Sequence, residues 1–148
     1  MSDRVAAPSE VSWLFMQLHG STTLDDQVRR SLAHGQVIDI TTTGRRTGDA
    51  RRIEIVIHNF GGRLYITGMP RAERSRAWLL NLEADPRLEI HLKEGLTADL
   101  PATARIITDE AERRAVFADV VKVWPGQDIE TMTRDSPLIE VIPDGLAA

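Results

Sequence analysis

The stretch that most restricts this chain runs from Val37 to Ile57. Val37-Ile38-Asp39-Ile40 is short, β-branched and alternating, and Ile53-Glu54-Ile55-Val56-Ile57 has the same character, so both read as strands. Between them lies Thr41-Thr42-Thr43-Gly44-Arg45-Arg46-Thr47-Gly48-Asp49-Ala50-Arg51-Arg52. Arg45, Arg46, Arg51 and Arg52 bring forked donors, and Thr43 and Thr47 bring hydroxyls. Gly44 and Gly48 allow left-handed backbone angles and a close approach to a ligand. Such a bend suits a multiply charged oxyanion, above all a phosphate. The same residues also describe a solvated hairpin tip, because basic runs are common on surfaces.

Local charge separates the two readings. The chain is acidic overall, with formal net charge -4. From Thr41 to Leu82, eight arginines stand against Asp49, Glu54 and Glu73, a net +5, which leaves −9 for the rest. A positive region on a negative protein focuses the field locally and fits a small anionic ligand. It argues against nucleic acid, whose long charged backbone favours an extended basic face.

At 148 residues, 42% hydrophobic and 27% charged, the composition is that of an ordinary folded domain with its own core. The absence of cysteine excludes disulfides, thiolate metal sites and cysteine nucleophiles. No apolar run approaches the roughly 20 residues that span a bilayer, and no secretory signal pattern opens the chain. The expectation is a cytoplasmic protein.

Taken in order, residues 1–35 read as an N-terminal helical segment that packs on the remainder or lids it. Val11, Leu14, Phe15 and Leu18 share one helical face. That face lacks flanking Lys or Arg, so membrane-surface docking is the weakest use for it. Thr22 or Thr23 caps a second piece carrying Leu24, Val28 and Leu32. Residues 36–143 then hold the strands. Gly61-Gly62 turns the chain into Arg63-Leu64-Tyr65-Ile66-Thr67, and Gly68-Met69-Pro70 opens a loop with Arg71, Arg74 and Arg76. Ser75 is the expected N-cap of a short helix to Ala84, with Trp78, Leu82 and Asn81 on neighbouring positions and Asp85-Pro86 as its stop. A helix start among arginines also favours anions.

Arg87 to Lys93 alternates strictly and predicts a strand with one wet face, which carries His91. Leu96 to Ile107 is a further strand, an edge or a bulge at Pro101. Thr108-Asp109-Glu110 starts a helix with Val116, Phe117, Val120, Val121 and Trp124 inward and a Glu110–Arg114 pair outward. Gln127 to Ser136 has no clear periodicity, and Leu138 to Ile142 closes as a strand. Most inter-strand turns are too short for parallel crossovers. The fold class is therefore α+β: six mainly antiparallel strands closing into a small barrel, with flanking helices.

Zinc-type histidine spacing, a nucleophile elbow, a P-loop and a dinucleotide fingerprint are all missing. His58 and His91 read as structural. No catalytic residue and no metal site is assigned, so an enzyme of this sequence would rely on a bound cofactor.

Ile40 to Gly48 with Arg51-Arg52, followed by Ala77-Trp78-Leu79-Leu80-Asn81-Leu82-Glu83-Ala84-Asp85-Pro86, resembles the two signature blocks of deazaflavin-dependent nitroreductases. These are split β-barrels related to flavin-mononucleotide oxidases of the pyridoxamine-phosphate type. The resemblance implies that Thr43, Arg45, Arg46, Thr47, Arg51 and Arg52 hold the phosphate of coenzyme F-420. It implies that Ile53, Ile55 and Val56 lie along its ring, and that Thr67, Gly68, Met69, Arg71, Arg74 and Arg76 meet its anionic tail beside Trp78 and Asn81. The implied chemistry is hydride transfer to an activated alkene, quinone or nitro compound as small-molecule substrate, with a homodimer as a possible assembly. Flavin mononucleotide is the alternative cofactor, and a non-redox carrier of an anionic or lipidic molecule is the alternative of another class. The chain departs from the family at Gly68-Met69, where many members have a small polar residue and a lysine, and at Glu54, where many have proline. Near the C-terminal helix, where the best-studied type has several tyrosines, this chain has no tyrosine, and Trp124 stands at the helix end.

Overall fold

The computed structural model describes residues 23–72 and 74–145. The chain divides into two compact units, residues 1–31 and 32–148. In the first, the described part belongs to α1 (Leu24–Leu32), whose start Thr23 caps by accepting from the Asp26 amide at 3.0 Å. The expected helical face of Val11, Leu14, Phe15 and Leu18 lies outside the described residues.

The second unit holds six strands: β1 (Gln36–Thr43), β2 (Ala50–Phe60), β3 (Arg63–Thr67), β4 (Arg87–Leu92), β5 (Ala98–Ile106) and β6 (Leu138–Pro143). They form a closed barrel in the order β1-β2-β3-β6-β5-β4, and every neighbouring pair is antiparallel. Between the strands lie α2 (Ala77–Ala84), α3 (Glu110–Val123) and α4 (Ile129–Asp135). The expected architecture is thus the observed one.

Register explains the packing. Ile38, Ile40 and Thr42 of β1 stand opposite Leu92, Ile90 and Leu88 of β4, and all six are buried. Ile57, Ile66, Ile139 and Val141 continue the same inner face around the barrel. Alternation sends the intervening residues outward. Outside, Tyr65 and Leu138 join Ile107, Val116, Phe117, Val120 and Met132 in a second apolar layer under α3 and α4. Burying a side chain of this size is worth about 1.5–3 kcal/mol.

Several local expectations are corrected. Arg76, not Ser75, is the N-cap of α2, and it makes no side-chain capping bond. Glu110 pairs with Arg74 at 2.7 Å and Arg114 reaches Glu130, so the expected i, i+4 pair does not form. Residues 127–136 contain α4, started by Asp128 accepting from the Thr131 amide at 2.8 Å. Pro101 pairs inside the closed barrel opposite Glu89. Its carbonyl still accepts from the Asp144 amide at 2.9 Å, so its missing N–H falls where the β5–β6 ladder ends. No helix among the described residues is long and apolar enough to cross a membrane.

Candidate functional site

β1 and β2 lengthen on both sides of the basic bend, so the turn itself shrinks to residues 44–49 and Arg51 and Arg52 become strand residues. The Gly44 amide donates to the Asp49 carbonyl at 2.7 Å and the Gly48 amide to the Gly44 carbonyl at 2.8 Å. Only Gly48 of the two takes a positive φ, 78°. Gly44 is needed for a different reason: a Cβ there would sit 3.0 Å from the Asp49 carbonyl oxygen. The Thr47 hydroxyl accepts from the Asp49 amide at 3.2 Å and stiffens the turn from within.

α2 is anchored to this bend by one side chain. Asn81, 4% exposed, accepts at Oδ1 from both the backbone N–H and the Nη1 of Arg45, each at 3.1 Å. Its Nδ2 donates to the inward Thr42 hydroxyl at 3.1 Å. A buried amide satisfied in this way fixes both partners, because losing it strands two donors and an acceptor.

The cleft between bend and helix has a volume of about 250 Å³ and is lined by Thr42, Gly44, Arg45, Arg46, Thr47, Arg51, Arg52, Ile53, Ala77, Trp78 and Asn81. Four of these are guanidinium groups and none is a carboxylate. Arg45 is held by Asn81, and Arg52 pairs with Asp39 at 2.9 Å. Lys93 joins Asp39 at 2.8 Å, and together Lys93 and Arg52 hold the Asp39 carboxyl below its usual range. Ile53, Ala77 and Trp78 supply an apolar wall beside this positive rim.

The cleft therefore gathers Gly44, Arg45, Arg46, Thr47, Arg51, Arg52, Ile53, Trp78 and Asn81 of the residues singled out by sequence, and adds Thr42 and Ala77. The others stand elsewhere. Thr43 alternates with Thr42 and faces an outer groove with Thr41, Gly48, Ala50, Arg87 and Glu89. Val56 is outward by the same alternation, and Ile55 lies further down β2, opposite Ile38. The Thr67 hydroxyl donates to the Pro137 carbonyl. Gly68 abuts Pro137 and Arg76, while Met69 is 49% exposed and Arg71 is exposed.

Arg76 does not line the cleft. It is buried and donates to the carbonyls of Arg74, Ser75 and Met69, so it braces the 68–76 loop from inside. Burial, and then the nearby Arg71, lower its pKa. Arg74 reaches Glu110 and the carbonyls of Thr133 and Arg134, and Arg63 clasps Glu140 with two bonds of 2.9 Å. The positive segment of the sequence is thus divided: the hairpin arginines face the cleft, and Arg63, Arg74 and Arg76 hold the fold. Thr42 and Ala77 had a sequence signal, since each adjoins a signature residue at the step that alternation or helix pitch turns inward.

Solved structures share this architecture. A candidate pyridoxamine 5′-phosphate oxidase from Listeria innocua is similar with a TM-score of 0.60 and 16% identity, over 82% of this chain and 94% of that one. An F420-H2 dependent reductase is similar with a TM-score of 0.52 and 23% identity, over 71% of this chain and 92% of that one. The general stress protein 26 of Bacillus anthracis matches with a TM-score of 0.57 and 15% identity, over 82% and 89% of the two chains. At these identities the likeness concerns the split barrel itself. Sequence goes further, since the family described as F420H(2)-dependent quinone reductase matches residues 14–142, and the chain belongs to that family of oxidoreductases.

Proposed function

We propose that the cleft between the β1–β2 bend and α2 holds the phosphate-bearing part of the deazaflavin coenzyme F-420, and that the protein passes a hydride from the reduced coenzyme to a quinone, activated alkene or nitro compound. The observation that carries this reading is the cleft's make-up: Arg45, Arg46, Arg51 and Arg52 around one opening, no lining carboxylate, and Ile53, Ala77 and Trp78 at its side. The donor set fits a phosphate attached to a flat, partly apolar body.

When bound, the coenzyme supplies the hydride. The chain's residues do the rest. Asn81 presets Arg45 before ligand arrives, so less ordering is required on binding. The side chains of Arg46 and Arg51 make no hydrogen bond or ion pair among the described residues, which leaves their forked donors for an oxyanion. Ile53 and Trp78 shelter the neighbouring space from water and orient what stacks there. Each charge-assisted bond is worth about 1.5–3 kcal/mol.

Fluorescence titration of the purified protein with the coenzyme tests the reading, with saturable binding expected at micromolar concentration. A protein that stays silent there but emerges yellow, with flavin absorbance, would instead be a flavin mononucleotide enzyme. A colourless protein carrying another small molecule in native mass spectrometry would be a carrier.

A further inference from the structure

On the outer wall, away from the arginine cleft, three neighbouring strands set a carboxylate, an imidazole and a hydroxyl in a line. The register places His91 of β4 opposite Asp39 of β1 and Asp99 of β5, with Thr41 one outward step along β1 opposite Glu89. Asp99 Oδ1 lies 2.7 Å from His91 Nδ1, and Thr41 Oγ1 lies 2.7 Å from His91 Nε2. The imidazole is 6% exposed, although it was expected on a wet face, whereas Asp99 is 66% exposed. An ionised carboxylate only accepts, so in the tautomer with its proton on Nδ1 His91 donates to Asp99 and turns the Nε2 lone pair toward the Thr41 hydroxyl, with the Glu89 carboxylate 3.8 Å from the same nitrogen.

This is the arrangement by which a base activates a hydroxyl nucleophile: nucleophile to base to orienting carboxylate, each within hydrogen-bond reach. A purely structural rivet would close the hydroxyl off. Here Thr41 instead lines an open groove of about 270 Å³ between β1 and β4, with Thr42, Thr43, Gly48, Ala50, Arg87, Leu88 and Glu89 as its other walls, Thr42 being shared with the arginine cleft. Arg87 gives one guanidinium nitrogen to Asp144 at 2.8 Å and keeps further N–H groups at the groove's lip for a carbonyl oxygen that gains charge. The reductase chemistry uses none of these side chains.

We propose that Thr41, His91 and Asp99 form a second site, at which the Thr41 hydroxyl takes the acyl group from small activated carboxylic esters and releases it to water. In the first half, Thr41 Oγ bonds to the ester carbonyl carbon, its proton passes to His91 Nε2, and the alkoxide leaves with that proton as an alcohol. In the second, water bonds to the acyl carbon, gives a proton through His91, and the carboxylic acid departs as Thr41 regains its hydrogen. Asp99 keeps the imidazole in register throughout.

The test uses the full chain and p-nitrophenyl acetate, following p-nitrophenolate release and the intact mass, with peptide mapping of any acetyl adduct. Turnover above buffer is expected, with a net gain of about 42 Da on Thr41, an acetyl group replacing the hydroxyl hydrogen once per chain. Thr41→Val and His91→Gln should each lose about 10²-fold of it, and Thr41→Ser should retain it. An unchanged melting temperature and unchanged coenzyme titration in the variants show that the fold and the first site survive. Ester hydrolysis equal in native and Thr41→Val protein, or an adduct only on other residues, overturns the proposal and leaves the trio as a strand clasp. Should Thr41→Val fail to fold, Asp99→Asn on its exposed carboxylate is read the same way. The proposal is independent of the coenzyme, so either reading can fail alone.

Discussion

Asn81 joins two sequence blocks that are far apart along the chain, and its loss has a definite cost. Asn81→Ala leaves the Thr42 hydroxyl and the Arg45 amide without their partner in a buried position, which should cost about 1–3 kcal/mol in a denaturant melt. Coenzyme affinity should fall with it. Arg46 and Arg51 separate binding from stability. Arg46→Ala and Arg51→Ala should each weaken coenzyme binding by about tenfold, the equivalent of about 1.5 kcal/mol, in a fluorescence titration. Their melting temperatures should not move, since neither side chain has a hydrogen-bond or ion-pair partner among the described residues. His58 behaves differently again. It is buried between Phe60, stacked at 5.5 Å, and the Trp124 edge at 4.9 Å, and its Nε2 has no hydrogen-bond partner among the described residues. Burial holds its pKa below the ordinary imidazole value. The facing phenol of Tyr65 is raised by burial and stays neutral. The unfolded chain therefore binds this proton first, so stability should fall as pH drops from about 6.5 toward the lower folded value, and level off below it. His58→Phe should remove that slope in melts across this range.

Among the elements, the outer row of β3, β5 and β6 is tied by charge. Glu140 accepts from Arg63 and from Arg105 at 2.9 Å, and Arg105 also grips Glu112 of α3. Arg63 and then Arg105 hold the Glu140 carboxyl below the usual range, working against its burial. A depressed carboxylate contributes stability above its unfolded pKa and loses it as pH falls through the folded one. Acid melts should accordingly show a second loss of stability below about pH 4.3 that Glu140→Gln reduces, the remainder belonging to the other depressed carboxylates such as Asp39 and Glu112. These ties show what sequence reveals and what it hides. Strands β1 to β6 were legible because barrel staves repeat every two residues, as in Leu88, Ile90 and Leu92. α4 was hidden because its seven residues bury only Met132 and Thr133, too few to show a helical period. The cleft's arginines were legible from two adjacent motifs, but a guanidinium reads the same whether it meets a phosphate or a carbonyl, so the bracing role of Arg76 was not. His91 was misplaced for a related reason: its partners come from β1 and β5, and only register brings them together. Buried Arg113 was equally silent, although burial pushes its pKa down to about 10 while it holds the carbonyls of Ile107, Thr133 and Ser136.

At the scale of the whole molecule, the barrel is complete within residues 36–143. A chain that starts at residue 23 should keep a cooperative melt with the strand signature in far-ultraviolet dichroism. Closure of the sheet has one more consequence. Each of the six strands has a hydrogen-bonded neighbour on both sides, yet β2 meets β3 only from Ile57 to Phe60, so among the described residues 50–56 make ladder pairs with β1 alone. That stretch is the one place in β2 where a further strand could be added, and Arg51, Arg52 and Glu54 along it set charge against uncontrolled stacking.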